Sequence, residues 1–149
     1  DDALLYEIGS IGGALVAVTD GRFAALSGDG SLSGSYDYAY PYLRGSTLGG
    51  ADFGALLLSR YRSGSTGKLV TVGADGGVLA SLQTQRDVLD ISAAGQYLAV
   101  LFSDGLVIYT ADLNEYARRD NTRYARGVLM RADGTAVLLG ASEGWLFVP

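Results

Sequence analysis

Short apolar runs separated by turn residues form the clearest pattern in this chain, and the pattern is most regular over positions 88–121. Three apolar runs lie there, at 88–92, 97–102 and 106–110, and a polar, charged fourth run follows at 115–121. The second run, Tyr97–Phe102, is apolar throughout, as is typical of a strand buried on both faces. Asp104 and Gly105 follow it, and an Asp-Gly pair between two apolar runs favours a tight hairpin. The stretch therefore predicts four antiparallel strands.

The most apolar run of this unit occurs four times. Its copies begin at positions 14, 55, 97 and 136, so successive copies are 41, 42 and 39 residues apart. Turn residues before and after the copies repeat with the same period. A repeat of about 40 residues that contains four strands is typical of β-propeller blades. The fall in hydrophobicity from the second and third runs to the fourth fits a blade whose outer strand is solvated.

We therefore predict an all-β fold built from β-propeller blades, with one propeller domain, or a fragment of one, over residues 1–149. Four blades are predicted, approximately at 4–42, 48–84, 88–121 and 126–149. The first blade has predicted strands at 4–10, 14–19, 22–27 and 31–40. The second has them at 48–53, 55–61, 68–73 and 77–84, and the fourth only at 126–131, 135–140 and 145–148. Because the last blade lacks its outer strand, the chain contains about 3.75 blades.

An arc of this size would expose one apolar sheet face at each end. Two arcs that pair as a homodimer would cover both faces in an eight-blade ring with two-fold symmetry. The missing N-terminal half of a longer parent protein would cover them too, and the abrupt start at Asp1 and Asp2 agrees with such a parent. Closure into a ring of four blades is the third arrangement.

Composition narrows the chemistry that the chain can perform. It contains no Cys and no His. Disulfides, thiol chemistry and Ser-His-Asp or Cys-His catalysis are therefore excluded, and the commonest metal ligand is missing. We predict no cofactor and no metal. A formal net charge of −5 argues against a nucleic-acid partner, and no apolar run reaches the roughly 18 residues that a membrane span requires.

Six residues are predicted to form a binding site for a peptide or a glycan. Tyr36, Tyr38, Tyr40 and Tyr42 are spaced by two, which predicts that all four lie on one face of an extended strand. Flat amphipathic rings in a row would make an aromatic platform; the alternative is packing at the blade rim or against a partner chain. The other two are Arg60 and Arg62, which precede the loop 63–67. That loop is the longest insertion in the repeat and a candidate functional loop.

Other charged and glycine-rich segments are interpreted as structural features rather than as binding sites. The turn aspartates are interpreted as hairpin residues, since no loop has the dense Asp/Asn alternation of a calcium site. The segment 64–68 lacks the glycine spacing and the following helix of a phosphate loop. Arginine side chains on the outer strand of the third blade and in the link after it are interpreted as a solvated edge, with an acidic partner or lipid headgroups as the alternative. These are Arg118, Arg119, Arg123 and Arg126.

The period near 40, the Asp-Gly hairpins and the apolar second strands resemble the WD40-like and quinoprotein-like propeller families over the whole chain. The Gly-His and Trp-Asp pairs of WD40 blades are absent, and the only Trp is Trp145. With its terminal segment 144–149, the chain also resembles the C-terminal half of uncharacterised propeller proteins of Gram-positive bacteria. That resemblance implies an extracytoplasmic protein whose parent is anchored by an N-terminal membrane helix, and it implies no catalytic residue.

The expected function is a non-catalytic binding or scaffolding module. One alternative is a hydrolase or lyase acting on glycans, with Asp90 paired to Asp52, because two carboxylates suffice for glycosidase chemistry. A second alternative is a structural self-association unit, in which the largest apolar surface packs against another copy of the chain.

Overall fold

The computed structural model describes residues 3–62 and 67–149, which form fifteen antiparallel strands in four sheets. Blade 1 contains β1 (Leu5–Ile11), β2 (Ala14–Thr19), β3 (Arg22–Leu26) and β4 (Leu32–Asp37). Blade 2 contains β5 (Tyr42–Thr47), β6 (Phe53–Ser59), β7 (Lys68–Gly73) and β8 (Val78–Gln83). Blade 3 contains β9 (Val88–Ala94), β10 (Tyr97–Phe102), β11 (Gly105–Thr110) and β12 (Glu115–Asp120). Blade 4 contains β13 (Gly127–Met130), β14 (Ala136–Leu139) and β15 (Gly144–Phe147).

The predicted fold class is confirmed: the protein is all-β, with three four-stranded blades and a three-stranded fourth, or about 3.75 blades. Within each sheet the strands pair in chain order, each with the next. None of the described residues belongs to a helix long and apolar enough to cross a lipid bilayer.

The prediction for the junction of blades 1 and 2 is wrong in two strands. The outer strand β4 ends at Asp37 rather than at position 40, and blade 2 begins at Tyr42 rather than at position 48. Positions 48–52 connect β5 to β6, and their backbone passes close to blade 3. A Cβ on Gly49 would lie 2.2 Å from the carbonyl oxygen of Ala93. This connection therefore requires glycine where the prediction placed strand residues.

The core consists of three layers, each between two neighbouring blades. We call the face of a blade that is turned towards the next blade along the chain its forward face. The face turned towards the preceding blade is its rear face. Side chains of the forward face of blade 1 pack on the rear face of blade 2: Ile11, Val16, Val18 and Phe23 on Leu56, Leu58, Val70 and Val72. Blades 2 and 3, and blades 3 and 4, are joined in the same way. Each layer is therefore formed by one forward and one rear face.

Polar groups on the inner strands fix neighbouring blades to each other. Ala93 donates its N–H to the hydroxyl oxygen of Thr47 (3.0 Å), which joins blade 3 to blade 2. Met130 donates to the hydroxyl oxygen of Ser92 (3.0 Å), and Val128 donates to a carboxylate oxygen of Asp90 (2.9 Å), so two bonds join blade 4 to blade 3. A backbone N–H buried at such a layer would cost about 1–3 kcal/mol without its acceptor.

Candidate functional site

The two ends of the arc carry the strongest candidate for a functional surface. None of the core clusters among the described residues combines side chains of blade 1 with side chains of blade 4. The rear face of blade 1 and the forward face of blade 4 therefore have no neighbouring blade. We call them the rear end face and the forward end face.

The rear end face consists of side chains from all four strands of blade 1. Strand pairing places Ile8, Ala17, Ala24 and Ser35 in one row across the sheet, and Ser10, Leu15, Leu26 and Leu32 in the next. Side chains alternate between the two faces of a strand, so the residues between these, Val16 and Val18, point forward into the core. The rear end face is thus apolar at its centre.

The exposure of Leu15 shows how the rear end face differs from the faces inside the arc. It is the second residue of β2, paired with β1, and Leu98 is the second residue of β10, paired with β9 in the same way. Leu98 is 0% exposed inside the arc, whereas Leu15 is 42% exposed. Ile8 and Ile91 are likewise the fourth residues of their strands, and they are 58% and 8% exposed. The same positions are core in blade 3 and surface in blade 1.

The forward end face repeats this contrast at the other end. Its side chains come from all three strands of blade 4 and are Leu129, Val137, Leu139 and Leu146. Leu139 is the last paired residue of β14 before the hairpin to β15, the place that Leu101 holds in β10. Leu101 is 0% exposed and Leu139 is 46% exposed. Both ends therefore present core-type side chains to water.

The four predicted platform tyrosines lie at the junction of blades 1 and 2, but not on one strand. Tyr36 is in β4, Tyr38 and Tyr40 are in the connection that follows, and Tyr42 begins β5. The prediction of a single extended face is wrong, because the chain turns from the outer strand of blade 1 to the inner strand of blade 2. Three of the rings, those of Tyr36, Tyr38 and Tyr40, pack on the core layer between these blades.

Tyr38 is partly buried. Its hydroxyl lies 2.7 Å from the carbonyl oxygen of Thr19 and 2.8 Å from that of Arg22, and it donates its hydrogen to this pair. Burial raises the pKa of Tyr38 well above its usual range, and the nearby Asp20 carboxylate adds to the shift. The phenol is therefore neutral at physiological pH and links the connection after β4 to the hairpin between β2 and β3.

The two predicted arginines do lie beside the predicted tyrosines. The guanidinium carbon of Arg60 is 5.0 Å from the centre of the Tyr40 ring, and the ammonium of Lys68 is 5.8 Å from the same centre. Arg62 lies 5.8 Å from the centre of the Tyr42 ring. Cations at these distances are attracted by the ring faces. We call the six predicted residues the tyrosine–arginine cluster. Among its rings, that of Tyr40 contacts both the core layer and a cation, whereas that of Tyr42 contacts only a cation among these partners. The rest of the predicted loop, at 63–66, lies outside the described residues.

Asp52 and Asp90, the carboxylates of the hydrolase alternative, line different cavities. Asp52 borders one of about 250 Å³ that also contains Tyr97 and Asp112. Asp90 borders one of about 150 Å³ beside Arg44 on the inner strands. One oxygen of Asp90 accepts the N–H of Ile91 and the other that of Val128. The structure gives Asp90 a role in joining blades 3 and 4.

The turn aspartates form hydrogen bonds within their own turns. Asp29 accepts hydrogen bonds from the hydroxyls of Ser27 and Ser31, and these bonds hold the pKa of its carboxyl well below the usual range. Asp133 accepts from the hydroxyl and the N–H of Thr135, which lowers its pKa for the same reason. Within residues 3–62 and 67–149, no three Asp or Glu side chains are grouped so as to hold a metal ion.

The basic group on the outer strand of blade 3 and in the link after it is exposed. Arg118 forms an ion pair with Glu115 on the same strand, β12, and this pair raises the pKa of the guanidinium. Arg119, Arg123 and Arg126 also have exposed side chains. This placement fits the outer edge of a blade.

Searches with family models find none that matches the chain, and no curated protein matches it. Solved structures do match. The chain superposes on the crystal structure of the computationally designed Ika4 protein with a TM-score of 0.70 and 10% sequence identity, covering 99% of this chain and 92% of that one. It also superposes on BBS1N, in a crystal structure with ARL6DN, with a TM-score of 0.63 and 11% identity, covering 98% of this chain. The chain spans 52% of the BBS1N chain. These likenesses show the fold alone, which is that of β-propeller blades.

Proposed function

We propose that the protein is a non-catalytic β-propeller scaffold that works by association, and that its two end faces are the association surfaces. One observation carries the proposal: positions that are core inside the arc, such as Leu98 and Leu101, recur at its ends as the exposed Leu15 and Leu139. Large contiguous apolar patches on a folded protein mark interaction sites. A bacterial, extracytoplasmic and membrane-anchored parent is a further proposal, supported by sequence resemblance only.

Introduced thiols test this proposal directly, because the chain contains no cysteine of its own. The variants Leu15→Cys and Leu139→Cys each place one thiol on an end face. The variant Leu79→Cys is the matched control, since Leu79 is an exposed apolar residue on the outer strand β8 and lies on neither end face. The rate of maleimide labelling is measured for each variant, in purified protein over a range of concentrations and in an extract of the source cells.

The proposal predicts that the two end-face thiols are labelled more slowly than the control, and at the same rate as the control in urea. Protection that is seen only in the extract means that a different protein covers the faces. Equal labelling of all three thiols under every native condition means that nothing covers them, and the proposed function is then wrong.

A further inference from the structure

We infer that the partner of both end faces is a second copy of this chain, with the rear end face of one copy packed on the forward end face of the other. The inference rests on the proposed function, since it names the occupant of the same two surfaces.

The first argument is that the two end faces are complementary in kind. Each of the three core layers in the arc joins one forward face to one rear face. The chain leaves one face of each kind uncovered, and these are the two that a fourth layer of the same type requires. A second copy supplies both. When the copies are related by a two-fold axis, both contacts form at once and no end face is left open.

The second argument is the distribution of charge on these faces. The centre of the forward end face contains leucine and valine side chains from β13, β14 and β15. The centre of the rear end face contains Ile8, Leu15 and Leu26, and Arg22 and Asp37, which form an ion pair of 3.3 Å, lie near its rim. An apolar centre with a polar rim is the usual organisation of a protein interface. Neither centre would bury an unpaired charge in such a contact.

The third argument is the cost of placing these faces in water. Removal of leucine and isoleucine side chains from water is a main driving force of association, and each end face contains several such side chains that are about half exposed. Contact between a forward and a rear end face would bury both sets together. In the two-fold arrangement this happens twice.

The first experiment measures the mass of the unmodified protein by light scattering after size exclusion, over a wide range of concentrations. We expect a species of twice 15.5 kDa that dissociates on dilution. A mass of 15.5 kDa at every concentration would overturn the inference. If the thiols of the preceding section are then protected in the extract, the proposed function stands with a different partner; if they are not protected there, both are wrong.

The second experiment separates forward-to-rear packing from packing between like faces. Leu15→Asp places a negative charge on the rear end face, and Leu139→Arg places a positive charge on the forward end face. Either variant alone carries a buried charge in both contacts of a two-fold dimer, so each is expected to be monomeric. A mixture can form one unmodified contact and one contact between opposite charges, and we expect it to restore a dimer that contains one chain of each variant.

Like-face packing gives a different result. If rear faces pack on rear faces, Leu139→Arg alone stays dimeric; if forward faces pack on forward faces, Leu15→Asp alone stays dimeric. Either result overturns the inference. Leu79→Arg is the control and keeps the mass of the unmodified protein. Circular dichroism and urea unfolding check that every variant folds, and Ile8→Asp with Leu129→Arg provide a second charge pair at other exposed positions of the same two faces.

Discussion

The inner layers and the end faces of this arc contain the same kinds of residue in the same registers, but only the inner layers are covered. Leu98 and Leu101 of blade 3 are packed between blades, whereas Leu15 of blade 1 and Leu139 of blade 4 are in contact with water. The difference shows that the repeat pattern specifies a blade with two apolar faces. It does so whether or not a neighbouring blade of the same chain covers each face. In solenoids and related repeats, ends of this type are usually replaced by polar capping repeats. Blades 1 and 4 have not been modified in that way.

The largest predicted difference in stability concerns the leucines beside the hairpins that join β10 to β11 and β14 to β15. Leu101→Ala removes a fully buried side chain and leaves a cavity, so we expect a loss of about 2–5 kcal/mol in the free energy of unfolding. Leu139→Ala, at the equivalent register of blade 4, is expected to cost about 1 kcal/mol or less at concentrations where the chain is monomeric. Urea unfolding of both variants measures the difference. Equal losses would show that the forward end face is already packed within one chain.

The second prediction compares the polar links of the inner strands. Ser92→Ala leaves the N–H of Met130 without its acceptor, and we expect a loss of about 1–3 kcal/mol in the free energy of unfolding. In blade 4 the equivalent register is held by the exposed Leu129, so Leu129→Ala is expected to have a smaller effect in the monomer. Thr47→Ser, which keeps the hydroxyl that accepts from Ala93, is the conservative control. If Ser92→Ala and Thr47→Ser have equal effects, the hydroxyl does not join the blades.

The third prediction is a pH dependence. The folded-state pKa of Tyr38 is raised by burial above the value of about 10 for an exposed tyrosine. Its share of the stability is therefore fully present below pH 10 and is lost as the pH rises further, because the unfolded chain ionises first. In Tyr38→Phe the fall of the unfolding free energy between pH 9 and 11 should be shallower, although Tyr109, whose pKa burial also raises, still contributes. Urea unfolding of Tyr38→Phe and of the unmodified protein at several values of pH measures the two slopes, and equal slopes would contradict the prediction.

The smallest effect is expected in the tyrosine–arginine cluster. Arg60→Ala removes one cation from the face of the Tyr40 ring, and a contact of this type at an exposed site stabilises by about 0.5–1 kcal/mol. Arg119→Ala is a suitable control, since it removes an exposed arginine from the outer strand of blade 3. Urea unfolding of the two variants is the measurement. A loss of several kcal/mol from Arg60→Ala would show that the cluster contributes to the core rather than to the surface.

The sequence predicts the strands of this fold well because each blade is patterned locally. Strands β2, β7 and β10 lie where the apolar runs place them, because strands in the interior of a blade are mostly apolar on both faces. The inner strand of blade 2 was misplaced because Tyr42–Thr47 contains Arg44, Gly45 and Ser46, and nothing in it resembles an apolar run. Inner strands face the centre of the arc, where polar side chains are tolerated, so hydrophobicity does not identify them.

The candidate site is predictable only in part. The open ends follow from counting strands, because 3.75 blades cannot cover both terminal faces. Which side chains form the end faces depends on the registers of β2 and β14, and a shift of one residue would exchange the core face for the exposed one. The contacts of the tyrosine–arginine cluster do not follow from sequence spacing, because Arg60 and Lys68 reach Tyr40 across the junction of two blades, a contact between residues far apart in sequence.

An arc with one forward and one rear end face has two different ends, so copies of it can associate head to tail. Such association continues without limit unless the curvature of the arcs brings the last end face back to the first. Head-to-tail contacts that do not close in this way generate helical filaments. The bonds from Thr47 and Ser92 to the next blade help to set that curvature, since they fix the angle between neighbours. If the proposed two-fold dimer forms, a small change of tilt at an inner layer, repeated along the arc, would prevent its closure and favour an open fibre. Selection on these partly buried hydroxyls would then act on the form of the assembly as much as on the stability of a single chain.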